Sequence, residues 1–560
     1  MINLIKNGNV FILSVLLITT LSCAFDKKTA VDVVVINAKI YTVNDKFETA
    51  EALAVKNGKI VAIGTNADIS QKYQAKEQVD AAGKFLYPGF IDAHAHFVKY
   101  GMSLQTADLV GTKSWEDIIE RLVAFSKKQA AEHPEISDKD WLMGRGWDQN
   151  DWTIKQYPNK KRLDELFPNR PVILRRVDGH GAIVNQAALD LAGIKPNQKI
   201  LGGEIETKNG ALTGILIDKA IGLVEAKIPE SNEAKMRIAL LAAQANCFAA
   251  GLTTIVDCGL DYPVVEVIEQ MNESNELKMR LFVMLSDEKD NYDYIFKRGM
   301  IKTERLSVRS FKLYADGALG SRGACLLQPY SDRPDHYGFL LNNASHYDSV
   351  TQIIAENGFQ ACTHAIGDSA NREILRIYAK NLKGKTDHRW RIEHAQVINP
   401  ADFDMFGKHH IIPSVQPTHA TSDMYWAGER LGKEREKGAY AFKQLLNQNG
   451  WIPLGTDFPV EDINPILTFN AAVVRKDSKD FPAEGYQMEN ALTREETLRG
   501  MTIWAAKGSF EEKEKGSLEV GKFADFILLN QDLMTVPADK ILETQVLKTF
   551  VNGEKVFEKK

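Results

Sequence analysis

The sequence predicts an α/β fold: a (β/α)8 TIM-type barrel with a small β-sandwich domain built from both chain ends and an insertion after the first barrel strand. Three observations predict it. Eight strand candidates in the middle of the chain alternate, from the second onward, with segments of helical apolar spacing. Asn-Gly hairpin signals stand near both ends, and residues 97–251 separate the first two strands. Alternating strands and helices form right-handed βαβ units, and eight of them close into a barrel.

The barrel strands are predicted in the central part of the chain. The candidates are Phe85–His96, Leu252–Cys258, Lys278–Leu285, Val308–Asp316, Gly358–His364, Arg389–His394, His410–Gln416 and Trp451–Asp457. The intervals carry helix-like apolar spacing, as in Val264 to Met271, Val350 to Ala355, Ala370 to Tyr378 and Ala439 to Leu446. We therefore assign residues 85–510 to the barrel.

The two chain ends carry similar β-strand signals. Residues 31–43 are rich in β-branched side chains, and Asn57-Gly58 and Asn552-Gly553 each lie between apolar runs, which is a strong hairpin signal. Neither end has enough strands for a stable sheet of its own. We expect residues 31–84 and 511–560 to build one sandwich. The alternative, two separate β appendages, would leave two apolar faces exposed.

The long interval between the first two strands predicts an insertion at about residues 100–245, since one crossover helix cannot fill it. It contains Trp147, Asp148 and, within Asp178-Gly179-His180-Gly181, a histidine. Aromatic side chains mixed with polar groups suit a lid over a pocket. Ordinary packing of a small satellite domain explains the same residues and stays open.

Residues 1–23 predict an export signal. Lys6 supplies the positive region, and Val10 to Leu21 is mostly apolar but short for a bilayer span. The ending at Ser22-Cys23 resembles a bacterial lipoprotein signal, in which the cysteine is lipidated, with residues 24–30 as a tether. We therefore expect an exported, membrane-anchored lipoprotein on the periplasmic side or the cell surface. A plain signal peptide cut nearby, or an uncleaved anchor, are the alternatives.

Composition narrows the class of partner. The chain has 560 residues and a formal net charge of −5, so it lacks the basic surface typical of nucleic-acid binding. Its five cysteines form no Cys-x-x-Cys pair, so neither a zinc ribbon nor a disulfide-stapled domain is indicated.

The end of the first barrel strand contains the first pair of candidate metal ligands. Side chains alternate along a strand, so Asp92, His94 and His96 are expected to point the same way. Two imidazoles at a strand end can bind one divalent metal, although a half-buried strand with hydrogen-bonded histidines would look the same.

Other strand ends supply matching groups. They are Lys312 in strand four, His364 after strand five, His394 after strand six and Asp457 after strand eight. Imidazole and carboxylate ligands suit zinc or a related divalent ion. A lysine in an apolar barrel strand is costly unless a partner neutralises it. The joint pattern predicts a metal site at the barrel rim.

The same residues carry a resemblance. The matching stretches are Pro88–His96, Asp178–Asn185, Lys312–Arg322, His364–Asp368, Glu393–Gln396, Gln416-Pro417, Thr456–Val460 and Gly516–Asp525. The sequence resembles the amidohydrolase superfamily, in particular amidohydrolase family 3, the group of YtcJ-like proteins and N-substituted formamide deformylases. The motifs are specific for the family and poorly specific for the substrate.

The resemblance implies roles for the six candidate ligands. His94 and His96 would hold the more buried metal, and His364 and His394 the second. Lys312 matches a position where a lysine can be carboxylated to an anionic carbamate that bridges two cations. Asp457 would be both ligand and general base. Family members differ in whether they bind one ion or two, and an unmodified Lys312, snorkelling or paired with Asp316, is the alternative.

The expected reaction is attack of a metal-activated hydroxide on a carbonyl carbon, with Asp457 moving the proton to the leaving nitrogen. His180 or another donor would stabilise the oxyanion. Arg322 either clamps a substrate carboxylate or is a surface arginine. His419, Trp147 and Asp148 are further candidates for substrate contact.

The leading functional prediction is a metal-dependent hydrolase of a C–N bond in a non-peptide, N-acyl or N-formyl amide. A C–O hydrolase, a deaminase or an isomerase would use the same site, and a surface-tethered binding protein without catalysis is a third class. The expected partners are a small-molecule amide and no nucleic acid. Contact with the membrane is expected only through the lipid anchor, and a homodimer is an open alternative to a monomer.

Overall fold

The computed structural model describes residues 28–132, 140–149, 152–176, 181–200, 203–229, 233–320 and 322–560. The predicted fold class is confirmed: a near-closed barrel sheet with outer helices, a two-sheet sandwich and an insertion are all present. The predicted signal, Cys23 and most of the tether lie outside the described residues and stay predictions. Within the described ranges, no helix is long and apolar enough to cross a bilayer.

The barrel strands follow one another in chain order, each parallel to the next. They are Phe90–Ala95, Leu252–Leu260, Arg280–Ser286, Leu306–Tyr314, Gln360–Ala365, Arg391–His394 and Ile412–Ser414, with Ile301–Lys302 antiparallel to the fourth. The eighth segment closes the ring: Leu454 bridges Val415, and the Asp457 amide donates to the His94 carbonyl at 2.7 Å. The carboxyl ends of all strands thus meet at one rim.

Helices connect the strands on the outside of the barrel. In the barrel part of the chain they are Phe97–Ser103, Glu233–Ala249, Tyr262–Glu273, Lys289–Arg298, Ala344–Glu356, Asp368–Leu382, Phe403–Lys408, Pro417–Asp423, Ala427–Leu431, Lys433–Glu436, Phe442–Asn449, Pro465–Val473, Arg494–Gly500 and Ile503–Gly508, with a 3-10 turn at Met488–Asn490. Their apolar faces and the outward strand residues form the largest core of the protein.

The sandwich combines both ends of the described chain, as predicted. One sheet contains Lys59–Gly64, Ala52–Lys56, Thr29–Ile36 and Tyr73–Asp80; the other contains Glu554–Glu558, Val546–Val551, Phe526–Leu529, Phe85–Pro88, Lys39–Tyr41 and Thr49–Ala50. Helix Asn66–Lys72 and the 3-10 turn Ala538–Glu543 complete these two parts of the chain. Val33 and Leu53 of the first sheet share one buried cluster with Leu86, Phe526 and Phe550 of the second.

The first predicted strand is divided in the structure. Phe85–Pro88 pairs with Phe526–Leu529 in the sandwich, whereas Phe90–Ala95 pairs with the second barrel strand. Gly89 lies at the junction, where an added Cβ would meet the Thr253 side chain at 2.3 Å. A larger residue at position 89 would push the first barrel strand away from the second. Because the pairing partner changes at Gly89, the barrel begins at Phe90.

The insertion forms an α/β unit of its own. Its sheet contains Gly203–Lys208, Ala211–Asp218, Gly181–Val184, Val172–Arg176, Leu142–Trp147 and Ala107–Asp108, with helices Trp115–Glu132, Lys161–Leu166, Gln186–Ala192 and Lys219–Glu225. Separate apolar clusters cover its two faces. The described part is therefore a packed satellite domain.

Candidate metal centre

The rim of the barrel brings the predicted ligands together. His94, His394 and Asp457 each offer one ligand atom within 4.8 Å of the others, and all three residues are buried. Nε2 of His96 lies 3.2 Å from Oδ1 of Asp457. The ring of His364 lies 4.6 Å from that of His394, measured between centroids.

Lys312 reaches the same cluster from the fourth strand. Its side chain is fully buried, and Nζ lies 3.3 Å from Nε2 of His94. Asp316, the alternative partner, instead accepts backbone hydrogen bonds from Cys325, Ile366 and Gly367 at 2.8–3.0 Å. Lys312 therefore points into the centre rather than towards Asp316.

Two of the ligands owe their direction to an unusual backbone. His394 has φ 72° and Asp457 has φ 64°, both in the left-handed region that non-glycine residues seldom adopt. Strand alternation would turn His394 away from Glu393, the residue before it. The positive φ breaks this alternation, so both side chains reach the barrel interior. Such local strain is typical of functional sites.

A buried carboxylate holds His94 in place. Oε2 of Glu393 lies 2.6 Å from Nδ1 of His94, and both side chains are fully buried. Oε1 of Glu393 lies 2.7 Å from Nε of Arg391, which also donates to the Ala93 carbonyl and to Ser414. Because Nδ1 of His94 is engaged, Nε2 is the nitrogen left for a metal.

His394 and His419 are also held at Nδ1. Nδ1 of His394 lies 2.7 Å from Oε1 of Gln416. Nδ1 of His419 lies 3.1 Å from Oε1 of Glu461, and its Nε2 lies 3.2 Å from Oδ2 of Asp457. His419 is thus a partner of the predicted general base.

Strand alternation predicts that the Asp92 side chain points towards the site with His94 and His96, but its carboxylate is hydrogen-bonded to His94 and Thr456 instead. Its two oxygens accept from the amides of His94 and Thr456, at 3.1 and 3.0 Å, and from the Thr456 hydroxyl at 2.7 Å. It fastens the first strand to the eighth. Burial raises the pKa of Asp92 to about 6.

Burial sets the protonation of the imidazoles. It lowers the pKa values of His96 and His394, and that of His364 to about 3, with the Lys312 charge adding to the shift at His364. Burial also opposes charge on His419, but its hydrogen bonds to Asp457 and Glu461 outweigh this and raise its pKa to about 10. His96, His364 and His394 therefore carry the neutral imidazole that binds metals, whereas the pKa of His94 is raised well above its usual value despite its burial.

The residues present fit a divalent metal. Within the described ranges, Nδ1 of His96, Nε2 of His364 and Oδ1 of Asp457 are buried atoms that lack a hydrogen-bond partner. Buried polar atoms are rarely left in this state, and a cation held by His94, His394 and Asp457 would satisfy Oδ1 of Asp457. His94, His96, His364, His394 and Asp457 would hold the metal, and Lys312 lies beside them.

Other predicted contact residues have partners of their own. Trp147 is fully buried in the insertion core, where Nε1 donates to the Leu174 carbonyl at 2.8 Å, so it does not form an open pocket wall. Asp148 pairs with Arg176 at 2.5 Å. Arg322 donates to both oxygens of Asp332, at 3.1 and 2.6 Å, so a substrate carboxylate would compete with Asp332 for its guanidinium. His180 lies outside the described residues.

Sequence reasoning gave no role to Glu393, Gln416 or Glu461, the groups that hold the three histidines. Glu393 and Gln416 do lie at the strand ends that carry the site, and this position is the one feature of the sequence that could have indicated their role. Glu461 lies in a loop, and nothing in its local pattern points to His419.

The chain matches known proteins over most of its length. A family model described as "Amidohydrolase family" matches residues 77–557. Protein LONG AFTER FAR-RED 3 of Arabidopsis thaliana is 32% identical over 94% of this chain and 91% of its own length. YtcJ of Bacillus subtilis is 31% identical over 93% of this chain and 98% of its own.

A more distant relative and a solved structure extend the comparison. The N-substituted formamide deformylase of Arthrobacter pascens is 26% identical over 93% of this chain and 97% of its own. An uncharacterized metal-dependent hydrolase from Pyrococcus horikoshii has a crystal structure that matches with a TM-score of 0.75 and 27% identity, over 90% of this chain and 99% of that one.

Proposed function

We propose that this chain, which belongs to the amidohydrolase family, hydrolyses the C–N bond of a small non-peptide amide, with a divalent metal, zinc first among the candidates, held at the barrel rim. One observation carries the proposal: His94, His394 and Asp457 converge within 4.8 Å. The name of the deformylase relative supports an N-acyl or N-formyl substrate.

The chemistry divides between the ion and the chain. When bound, a divalent ion lowers the pKa of a water molecule and polarises the scissile carbonyl. Asp457 is placed to take the proton of the attacking water and to return it to the leaving nitrogen. His419 donates to Oδ2 of Asp457 and keeps that carboxylate oriented. Glu393 keeps Nε2 of His94 directed into the site.

Lys312 has a special part in this proposal. A protonated ammonium buried 3.3 Å from Nε2 of His94 would repel a cation. Once Nζ has lost its proton, addition of carbon dioxide to the neutral amine with release of one further proton would leave an anionic carbamate, so we propose that Lys312 carries a carbamate in the metal-loaded protein. An unmodified lysine would instead predict weaker metal binding.

The experiment measures metal content and hydrolysis together. Purified protein is assayed by elemental analysis, and with a panel of N-formyl amides, N-acyl amides and matched esters. We expect bound divalent metal and amide turnover that stops on chelation and returns with zinc or manganese.

Asp457→Asn should lower kcat about 10²–10⁴-fold, the range expected for loss of a general base. Asp293→Asn, a change in an exposed side chain, is the matched control and should leave kcat unchanged. A chain that carries no metal and gains no activity with zinc or manganese would refute the proposal. If the protein hydrolyses the esters in preference to the amides, the assignment of a C–N bond is wrong, and the assignment of a metal-dependent hydrolase stands.

A further inference from the structure

Tyr314 stands at the rim directly above Lys312. The two residues are two apart on the fourth barrel strand, so their side chains lie on the same face of the sheet. Tyr314 also pairs in register with His364 of the fifth strand. It therefore belongs to the layer of side chains that carries the candidate metal ligands.

The ring of Tyr314 contacts two residues of the centre. Its centroid lies 5.1 Å from Nζ of Lys312 and 5.6 Å from the centroid of His364. Tyr314 is 37% exposed, so it is reached from the mouth of the barrel. It combines contact with the centre and access from solvent, as a residue that touches substrate must.

The neighbouring strands leave room for the phenol. The third strand ends at Ser286, which pairs with Lys312, so this strand has no residue at the level of Tyr314. Beyond it, Gly259 of the second strand has φ 90°, and a Cβ there would lie 3.4 Å from the Tyr314 hydroxyl. The side chain can thus extend across the rim towards the second strand.

The hydroxyl of Tyr314 is an uncommitted donor. Of the residues that the structure describes, none hydrogen-bonds this hydroxyl; the Tyr347 hydroxyl donates to the backbone carbonyl of Tyr314 instead. By contrast, one ring nitrogen of each of His94, His394 and His419 is already taken by Glu393, Gln416 or Glu461. The Tyr314 hydroxyl is thus able to offer a new hydrogen bond to a substrate.

We propose that Tyr314 is a catalytic residue whose hydroxyl donates a hydrogen bond to the acyl oxygen of the amide as this oxygen gains negative charge. The proton stays on the phenol, and no bond to Tyr314 forms or breaks. The proposal rests on the proposed amide hydrolysis and adds a donor from the chain itself. Such a donor raises kcat because its bond strengthens only as the charge develops.

The test compares Tyr314→Phe with wild type, both loaded with metal and assayed on the best amide of the panel. Loss of the hydroxyl should lower kcat and kcat/KM together by about 10²-fold, with metal content unchanged. Tyr337→Phe is the control, because Tyr337 is an exposed tyrosine in the segment that follows the same strand. It should behave as wild type.

A binding measurement gives a second readout. The phosphonamidate analogue of that amide imitates the charged tetrahedral state, and its Kd by calorimetry should rise about 10- to 100-fold in Tyr314→Phe. Kd for the uncleaved amide, measured in Asp457→Asn, should hardly change when Tyr314→Phe is added.

Three outcomes would overturn the inference. If Tyr314→Phe keeps kcat within about threefold of wild type, the hydroxyl is not the donor. A rise in KM with kcat unchanged would assign Tyr314 to substrate binding alone. If metal-loaded wild type hydrolyses no amide at all, the proposed function fails first, and this inference fails with it.

Discussion

Asp525→Ala should loosen the sandwich from the barrel. Asp525 accepts from Nε and Nη2 of Arg280, at 2.6 and 3.0 Å, and from the Asn552 amide at 2.8 Å. The side chain of Arg280, at the start of the third barrel strand, is 0% exposed, and that of Asp525 is 6% exposed. The pair therefore joins the two domains out of reach of water.

The expected loss follows from what the alanine leaves behind. Removing one partner of a buried ion pair costs about 3–5 kcal/mol, because the other charge stays buried without compensation. Arg280 would keep the Glu304 carbonyl at 2.7 Å and the Phe523 ring, 3.9 Å from its guanidinium carbon. These contacts place the expected loss near the lower end, at about 3 kcal/mol.

Urea unfolding followed by circular dichroism and tryptophan fluorescence measures the change in the free energy of unfolding. Asp293→Ala removes one partner of an exposed helical pair with Lys289 and should leave the urea midpoint unchanged. Adding Arg280→Met to Asp525→Ala should recover much of the loss, since an apolar side chain needs no counter-charge. A loss below about 1 kcal/mol, or no recovery in the double variant, would refute the reasoning.

Two more substitutions test the centre. Glu393→Gln removes the carboxylate partner of Nδ1 of His94 and should lower metal affinity about 10- to 100-fold, as measured by competition titration with a chromophoric chelator. Glu356→Gln, a change in an exposed side chain, is the control. Equal metal affinity in the two variants would contradict the role of Glu393. Gly455→Ala would place a Cβ 2.5 Å from the His94 amide and should cost about 1–3 kcal/mol of stability and reduce metal binding. Gly222→Ala, with open space around it, should be neutral or stabilising, and similar thermal midpoints for the two variants would show that the close approach is not needed.

The spacing of apolar residues predicted the large-scale fold because it reflects which face of each strand or helix is buried. His94, His96, Lys312, His364, His394 and Asp457 could be proposed as a group because a barrel brings all its strand ends to one rim. The division of the first strand at Gly89 was not predictable in this way. It depends on the approach of Thr253, a residue distant in sequence.

The predicted substrate contacts show a second limit. A tryptophan in a core and one in a pocket wall have the same local pattern, and the structure places Trp147 in a core. The pairing of Arg322 with Asp332 is not predictable from the sequence, because an ion pair across a loop leaves no periodic signal. The role of Glu393 is not predictable either, because alternation turns it away from His394, and the φ of 72° at His394 that overrides alternation has no signature in composition.

The order of strands in the sandwich has a consequence during synthesis. Phe85–Pro88 leaves the ribosome early, but its neighbour Phe526–Leu529 is made more than four hundred residues later. Until then, the edge of Phe85–Pro88 is open to pairing with other chains. A nascent chain would therefore depend on chaperones for longer than its barrel alone requires. A premature stop before residue 526 would leave this edge open permanently and mark the product for degradation.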